Sequence, residues 1–182
     1  GDRILFVLLL STLMIPGQVT LIPQFLLLKH IPLAGGNNIY GMGGIGWLDS
    51  YWGLIVPGFL DVGSIFLLRQ FFLSIPKDID DAALIDGCSD FQIYSQIILP
   101  LSKPALLTVA LFRFQDSWNA FLWPLIIVNR DSMRTLQVGL TAFQQEHTIQ
   151  IAPLMAGTVI TVMPIIILFL FTQRYFVQGI AQ

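Results

Sequence analysis

The sequence predicts an all-α membrane protein with several transmembrane helices, and three observations predict it. The first is composition. Of 182 residues, 55% are hydrophobic and only 11% are charged, whereas a soluble domain carries about a quarter charged residues. So few ionic groups cannot cover a water-facing surface. The second is clustering: the charges gather in a few stretches and leave four apolar runs, at about 4–28, 52–75, 105–128 and 152–176. Each run meets the length of about 20 residues that a helix needs to cross a bilayer core roughly 30 Å thick. The third is pattern. No run alternates with period two, and all are far longer than barrel strands, so each must satisfy its backbone groups internally, as a helix does.

The first run contains Pro16-Gly17 and Pro23, so a kinked helix packed by its neighbours is expected. Residues 29–51 follow, with Gly35, Gly36, Gly41, Gly43, Gly44 and Gly46. That density of glycine predicts a flexible, turn-rich loop, either a plain connector or a lip against an external partner. The second run carries Asp61 and Arg69, the third Arg113 and Asp116, and the fourth stays uncharged until Arg174. A further loop at 129–151 holds Arg130, Arg134, Glu146 and His147.

Several function classes fall away. The net charge is −2 and no basic block is present, so nucleic acid is not an expected partner. A single cysteine, Cys88, excludes an internal disulfide and a multi-cysteine metal site. The apolar runs contain no histidine and no Ser/His/Asp cluster, so a membrane-embedded enzyme has no catalytic set to use. No phosphate-cradling Gly-x-x-x-x-Gly-Lys loop occurs. The chain enters an apolar run almost at once, with neither a basic leader nor a cleavage site, so further sequence is expected upstream.

The most polar stretch, 74–103, holds five Asp and two Lys. Asp78, Asp80 and Asp81 crowd an expected first helical turn, where carboxylates complement the dipole and can cap free N–H groups. Ile79, Ala82 and Ala83 are placed on one face, and Gly87 suits a helix C-terminus with positive φ. A second short helix is expected over 90–98, with Phe91, Tyr94 and Ile98 on one face, ended by Pro100. Pro104 then suits the first turn of the third span. Two short amphipathic helices between spans form a docking surface.

These residues carry a resemblance. Asp81-Ala82-Ala83, Asp86-Gly87 and Ile97-Ile98-Leu99-Pro100 resemble the EAA loop of ABC importer permeases: Glu-Ala-Ala, three residues, Gly, nine residues, Ile, any residue, Leu-Pro. Asp81 replaces the glutamate, keeping the charge on a shorter arm. Ser117-Trp118-Asn119-Ala120-Phe121-Leu122-Trp123-Pro124-Leu125 is similar to the Trp-Asn signature of carbohydrate permeases of the maltose type, with Ala120 where many relatives have Asp. The closing Gln173-Arg174-Tyr175-Phe176-Val177-Gln178-Gly179 also resembles that branch.

The resemblance implies the fold of a type I ABC importer permease, covered here from its third to its sixth span, with 76–100 as a coupling loop. It implies ATPase-coupling roles for Asp81, Ala82, Ala83, Asp86, Gly87, Ile97, Leu99 and Pro100. The implied partners are a dimer of ATP-binding cassette ATPases, a second permease subunit expected to be a related chain, and an extracytoplasmic solute-binding protein. ATP and Mg would be held by the ATPase, with no cofactor on this chain. The implied location is a bacterial or archaeal cytoplasmic membrane, with the elbow and both ends of the chain inside. Charge counting agrees: Arg3, Arg69, Lys77, Lys103 and Arg174 lie on one side, and only Lys29, Arg130 and Arg134 on the other. The implied cargo is a sugar or oligosaccharide, the alternative being an amino acid, peptide or anion.

An ion at the bilayer centre costs at least about 2.5–3.5 kcal/mol, so Asp61, Arg113 and Asp116 should face protein or water. They are either structural ion pairs or a polar wall of the substrate path. Trp118, Asn119 and Phe121 are candidates for the same path, since amides hydrogen-bond sugars and aromatic rings stack on their C–H faces. Trp123 is placed in the interfacial belt that tryptophan favours.

Overall fold

A computed structural model describes residues 2–145, 148–149 and 151–180. It is mostly helical and divides into two compact units, 1–61 with 116–164 and 62–115 with 165–182. Two of the divisions fall inside helices, between Gln115 and Asp116 and between Pro164 and Ile165.

In the first unit, α1 (Asp2–Ser11) runs into a 3-10 turn (Thr12–Met14) and stops. Ile15, which precedes Pro16, is extended at φ −87 and ψ 116, the conformation that a following proline imposes. α2 (Gly17–Lys29) then starts in a new direction, bent by 101° from the first arm. The kinked span expected at 4–28 is therefore a broken one, neither arm long enough alone to cross a bilayer core. Pro23 sits inside α2, past its first turn, and so leaves Val19 O without the usual i→i−4 donor.

The glycine-rich loop, expected to be flexible, is closely knit. Asn37 is buried at its centre; its Nδ2 donates to Lys29 O at 2.8 Å and Ile31 O at 2.9 Å, and its Oδ1 accepts from Gly44 N at 2.8 Å. Asn38 Oδ1 accepts from the N–H groups of Tyr40 and Met42 at 2.9 Å. Trp47 N–H returns to Leu28 O at 2.9 Å, and Gly46, at φ +61, approaches so closely that a Cβ would strike Leu28 O. Glycine here permits backbone-on-backbone packing. The loop closes on α3 (Tyr51–Ile55), whose N-cap Ser50 accepts from Gly53 N. A 3-10 turn (Val56–Gly58) follows.

The core of this unit is Leu28, Leu48, Ile127 and Val128, with Phe25, Ile31, Trp47, Leu54, Trp123 and Met133 packed around it. It joins α2 and the glycine loop to α9 (Leu122–Ile127). Trp123, placed in the lipid interface from sequence, packs against this cluster and donates Nε1–H to Gly53 O at 3.1 Å. Its indole needs a partner once buried. Beyond α9 come a 3-10 turn (Asp131–Met133), α10 (Leu136–Gly139), a second 3-10 turn (Leu140–Phe143) and the two-residue strands β1 (Gln144–Gln145) and β2 (Thr148–Ile149), paired antiparallel. Glu146 and His147 lie outside the described residues.

In the second unit, α4 (Val62–Ser74) leads into α5 (Lys77–Ile85), α6 (Asp90–Gln92), a π-helical stretch (Ile93–Ile98) and α7 (Leu99–Leu101). α8 (Lys103–Trp118) follows, bent by 70° from the 90–101 helix. Pro100 does not end the second elbow helix as expected. Leu99 N–H bonds back to Tyr94 O, five residues away, and the helix passes through the proline in wide register, losing only one donor. The turn comes at fully buried Ser102, whose Oγ donates to Ile98 O at 2.7 Å.

The third run is also interrupted. α8 ends at Trp118 and α9 begins at Leu122, because the ring of Pro124 would clash with the carbonyl four residues earlier, at Ala120, in a continuous helix. α11 (Ile151–Ile180) is unbroken and carries Pro164 inside it. Among the described residues, Tyr51–Ser74 and Ile151–Gln173 are long and apolar enough to cross a membrane, and each bent pair adds one more if it forms one span.

Candidate functional site

The elbow is built from two capping motifs set back to back. α5 begins after Pro76, with Asp78 and Asp80 in its first turn and no side-chain cap. Asp81 falls just beyond that turn, so the expected trio contributes two carboxylates to the helix N-terminus. α5 ends in a complete Schellman motif: Cys88 N–H donates to Ala83 O and Gly87 N–H to Leu84 O, both at 3.0 Å, with Gly87 at φ +83. Only glycine takes this conformation without strain. One residue later, Gln92 reaches back, its Oε1 accepting from Ser89 N at 2.8 Å and Ser89 Oγ at 2.9 Å. The link between the two helices is therefore fixed by hydrogen bonds on both sides.

Burial sorts the elbow residues by face. Ala83 is 4% exposed and Ile79 half-buried, but Ala82 lies on the exposed side, against the expectation of one shared face. Asp81, Asp86 and Gly87 are exposed, Ile97 and Leu99 half-buried, and Pro100 exposed. Leu84, Ile85, Phe91 and Tyr94 are all exposed large apolar side chains, Ile85 at 86% and Phe91 at 75%. Phe91 and Tyr94 thus share one face as expected, whereas Ile98 is half-buried and Ile93 turns inward.

The candidate path residues fall in different places. Asp61 and Arg113 are half-buried and Asp116 exposed; none of the three is without a partner. Trp118, at the end of α8, donates Nε1–H to Thr161 O of α11 at 2.9 Å. Exposed Asn119 accepts at Oδ1 from Gln137 Nε2 at 3.3 Å. Phe121 is exposed at the helix break.

Sequence reasoning missed one polar centre. Asp49, at φ +51, accepts at Oδ1 from the N–H groups of Asn129 and Arg130 at 3.1 Å, and its Oδ2 takes Arg130 Nε at 2.6 Å. Arg130 also donates from Nη2 to Asp49 O at 2.6 Å. The backbone N–H of Arg130, with that of Asn129 and the guanidinium, holds the Asp49 carboxyl below its ordinary value of 3.8 against the opposing effect of desolvation. This clamp ties the glycine loop to the segment after α9. Partners some eighty positions apart leave no local signal. The Ser89–Gln92 pair does leave one, as Ser-x-x-Gln at a helix start.

Comparison with known proteins agrees with this geometry. Permease protein AraQ of an arabinooligosaccharides transport system is 36% identical over 180 residues in both Halalkalibacterium halodurans and Bacillus subtilis, covering 99% of this chain. UgpE, an sn-glycerol-3-phosphate transport system permease protein of Salmonella typhimurium, is 32% identical over 180 residues, 98% of this chain. The chain spans 60% and 59% of the two AraQ proteins and 59% of UgpE. A crystal structure of a bacterial ABC transporter involved in the import of the acidic polysaccharide alginate superposes with a TM-score of 0.77 at 25% identity, over 97% of this chain and 62% of that one. Residues 1–182 match, along their whole length, the family described as the binding-protein-dependent transport system inner membrane component, and the chain belongs to that family.

Proposed function

We propose that this chain forms part of the permease subunit of an ABC importer, lines part of a path for a sugar or oligosaccharide, and couples to a separate ATPase through its elbow. The observation that carries the coupling is the elbow's exposed face. Leu84, Ile85, Phe91 and Tyr94 stand out from a hydrogen-bonded, two-cap frame beside exposed Asp81 and Asp86. An apolar patch rimmed by charge on a rigid frame is what a partner's cleft requires. In this reading Asp81, Ala82, Asp86 and Gly87 meet the ATPase, while Ala83, Ile97, Leu99 and Pro100 hold the elbow's shape. Asp61, Arg113, Asp116, Trp118, Asn119 and Phe121 belong to the path or its walls. ATP and Mg sit on the ATPase, and the elbow and the N-terminal end of the chain face the cytoplasm. A solute-binding protein delivers cargo on the opposite side, and a second, related permease chain completes the path.

The arabinooligosaccharide and alginate systems among the similar proteins support a carbohydrate cargo. The test is uptake by the full-length subunit, co-expressed with its partners and reconstituted in proteoliposomes, from a panel of labelled sugars, amino acids and peptides. ATP-dependent uptake of a sugar or oligosaccharide is expected. Uptake confined to amino acids or peptides would overturn the cargo assignment, and purification of the subunit without any ATPase would overturn the coupling.

A further inference from the structure

We infer that the cleft beside the break between α8 and α9 is a subsite for an uncharged sugar on this chain's own residues; the inference rests on the sugar-import reading above. The cleft has a volume of about 370 Å³ and is lined by Phe121, Gln137, Leu140, Thr141, Thr158 and Thr161, among others. That volume lies within the range of about 300–1,000 Å³ typical of small-molecule sites. All these residues belong to one compact unit.

Three independent features make it a site for a polyol. The first is the backbone. Residues 119–121 leave the helix, and Ala120 N–H keeps only a long bond of 3.3 Å to Ser117 O. The break follows directly on the candidate span that ends at Trp118, where backbone that lines a water-filled cavity can be irregular, and Phe121 places it on the cleft wall.

The second is the balance of donors and acceptors. Thr141, Thr158 and Thr161 each spend their hydroxyl proton on a backbone carbonyl, Val138 O, Leu154 O and Thr158 O, at 2.7, 2.8 and 2.7 Å. A ligand therefore meets them as acceptors and must supply the hydrogens. Gln137 and Asn119 spend one N–H and one oxygen on each other. Gln137, on the cleft wall, keeps its second N–H to donate to a ligand and its oxygen to accept from one. A molecule that both donates and accepts through several hydroxyls fits this set.

The third is the absence of charge on the lining, together with the exposed ring of Phe121. Among the described residues, no lysine, arginine or carboxylate lines the cleft, so these walls offer nothing to neutralise a phosphate, a uronate or a cation, whereas the ring supplies a stacking surface for C–H groups. The wall geometry is fixed: α11 packs so closely on Leu140 that a Cβ at Gly157 would strike Leu140 Cδ2, and Trp118 Nε1 holds Thr161 O at 2.9 Å.

The test uses the full-length subunit with its partner subunits in vesicles of phosphatidylethanolamine and phosphatidylglycerol, which contain no sugar-headed lipid. The probes are labelled arabinotriose and sn-glycerol-3-phosphate, and the readout is molecules moved per ATP hydrolysed. Gln137→Leu and Phe121→Ala are each expected to lower that ratio for arabinotriose about tenfold, a change equivalent to about 1.4 kcal/mol. Leu136→Ala, on the same short helix but outside the cleft, should keep the wild-type ratio. A second measurement covers misfolding of these variants: Gln137→Cys in a Cys88→Ser background should be alkylated severalfold more slowly in excess arabinotriose. Wild-type ratios in both cleft variants, or alkylation unaffected by the sugar, would overturn the subsite while leaving the import reading intact. A defect that arises only when glycolipid is added would also overturn it, reassigning the cleft to a lipid headgroup. A wild-type complex that moves glycerol phosphate but no neutral sugar would overturn both.

Discussion

Gly87 isolates backbone strain from crowding. It sits at φ +83, and a Cβ built there meets nothing within 4 Å. Within this chain, a side chain at 87 therefore costs only the left-handed conformation, about 1–2 kcal/mol for a non-glycine residue. Asn tolerates that region best, Ala bears the full cost, and a β-branched Val is the worst case. If the docked elbow needs this conformation and the free elbow can relax, the strain appears in ATPase association as a roughly 5–30-fold loss. The expected order of retention is Gly87→Asn, then Gly87→Ala, then Gly87→Val, all at normal membrane level because the membrane helices are untouched. Cys88→Val, one residue on and without a positive φ, should be milder than any of them. The assay is co-purification of the ATPase with each full-length variant, beside uptake and ATP hydrolysis. A loss far above 30-fold for Gly87→Ala would mean that the space beside Gly87 is filled by the partner. Normal uptake by Gly87→Val at normal membrane level would refute the elbow as the coupling element.

Three further outcomes follow from the first unit. Asn37→Leu removes three hydrogen bonds from a buried site, each worth about 1 kcal/mol net; limited proteolysis should cut the glycine loop faster, and an unchanged pattern would mean that the amide is dispensable. Asp49 has a depressed pKa, so its contribution is fully present above 3.8 and is lost as pH falls through the lower folded value. Digestion by an acid-tolerant protease, corrected for its own pH activity, should leave the loop equally resistant at pH 7 and pH 5 and open it only below about 3.8; loss of resistance already at pH 5 would contradict the clamp. Ile127→Ala, at a fully buried position, should cost about 2–5 kcal/mol, read as a fall in the detergent melting temperature, whereas the exposed Leu136→Ala should leave that temperature nearly unchanged.

What the sequence made legible was local. The short elbow helices and Gly87 as the positive-φ end of α5 follow from spacing within a few turns of helix, and the structure has both. Where a proline met a strong apolar run, composition outweighed geometry. The run at 4–28 is one stretch by hydropathy but two arms in space, because Pro16 sets the backbone of Ile15. Pro100 went the other way, read as a stop when a wider helix carried the chain past it. The glycines at 35–46 signalled turns correctly but not stiffness, which comes from Asn37 and Asn38, two side chains with no apolar pattern to mark them. Asp49 with Arg130, and Asn119 with Gln137, meet only after the chain has folded back, and no periodicity announces such pairs.

The wide-register turn at Ile93–Ile98 has a consequence for how this stretch tolerates insertions and deletions. An α-helix turns by about 100° per residue, so losing one residue from an ordinary helical arm swings everything beyond it to another side. A π-type bulge accommodates an extra residue within a helix. Deleting one residue here can relax the bulge to ordinary α pitch and leave the next segment's heading nearly unchanged, whereas the same deletion between Lys77 and Ile85 has no slack to take up. Length variation in this part of the chain is thus best accommodated at one place, just ahead of Pro100.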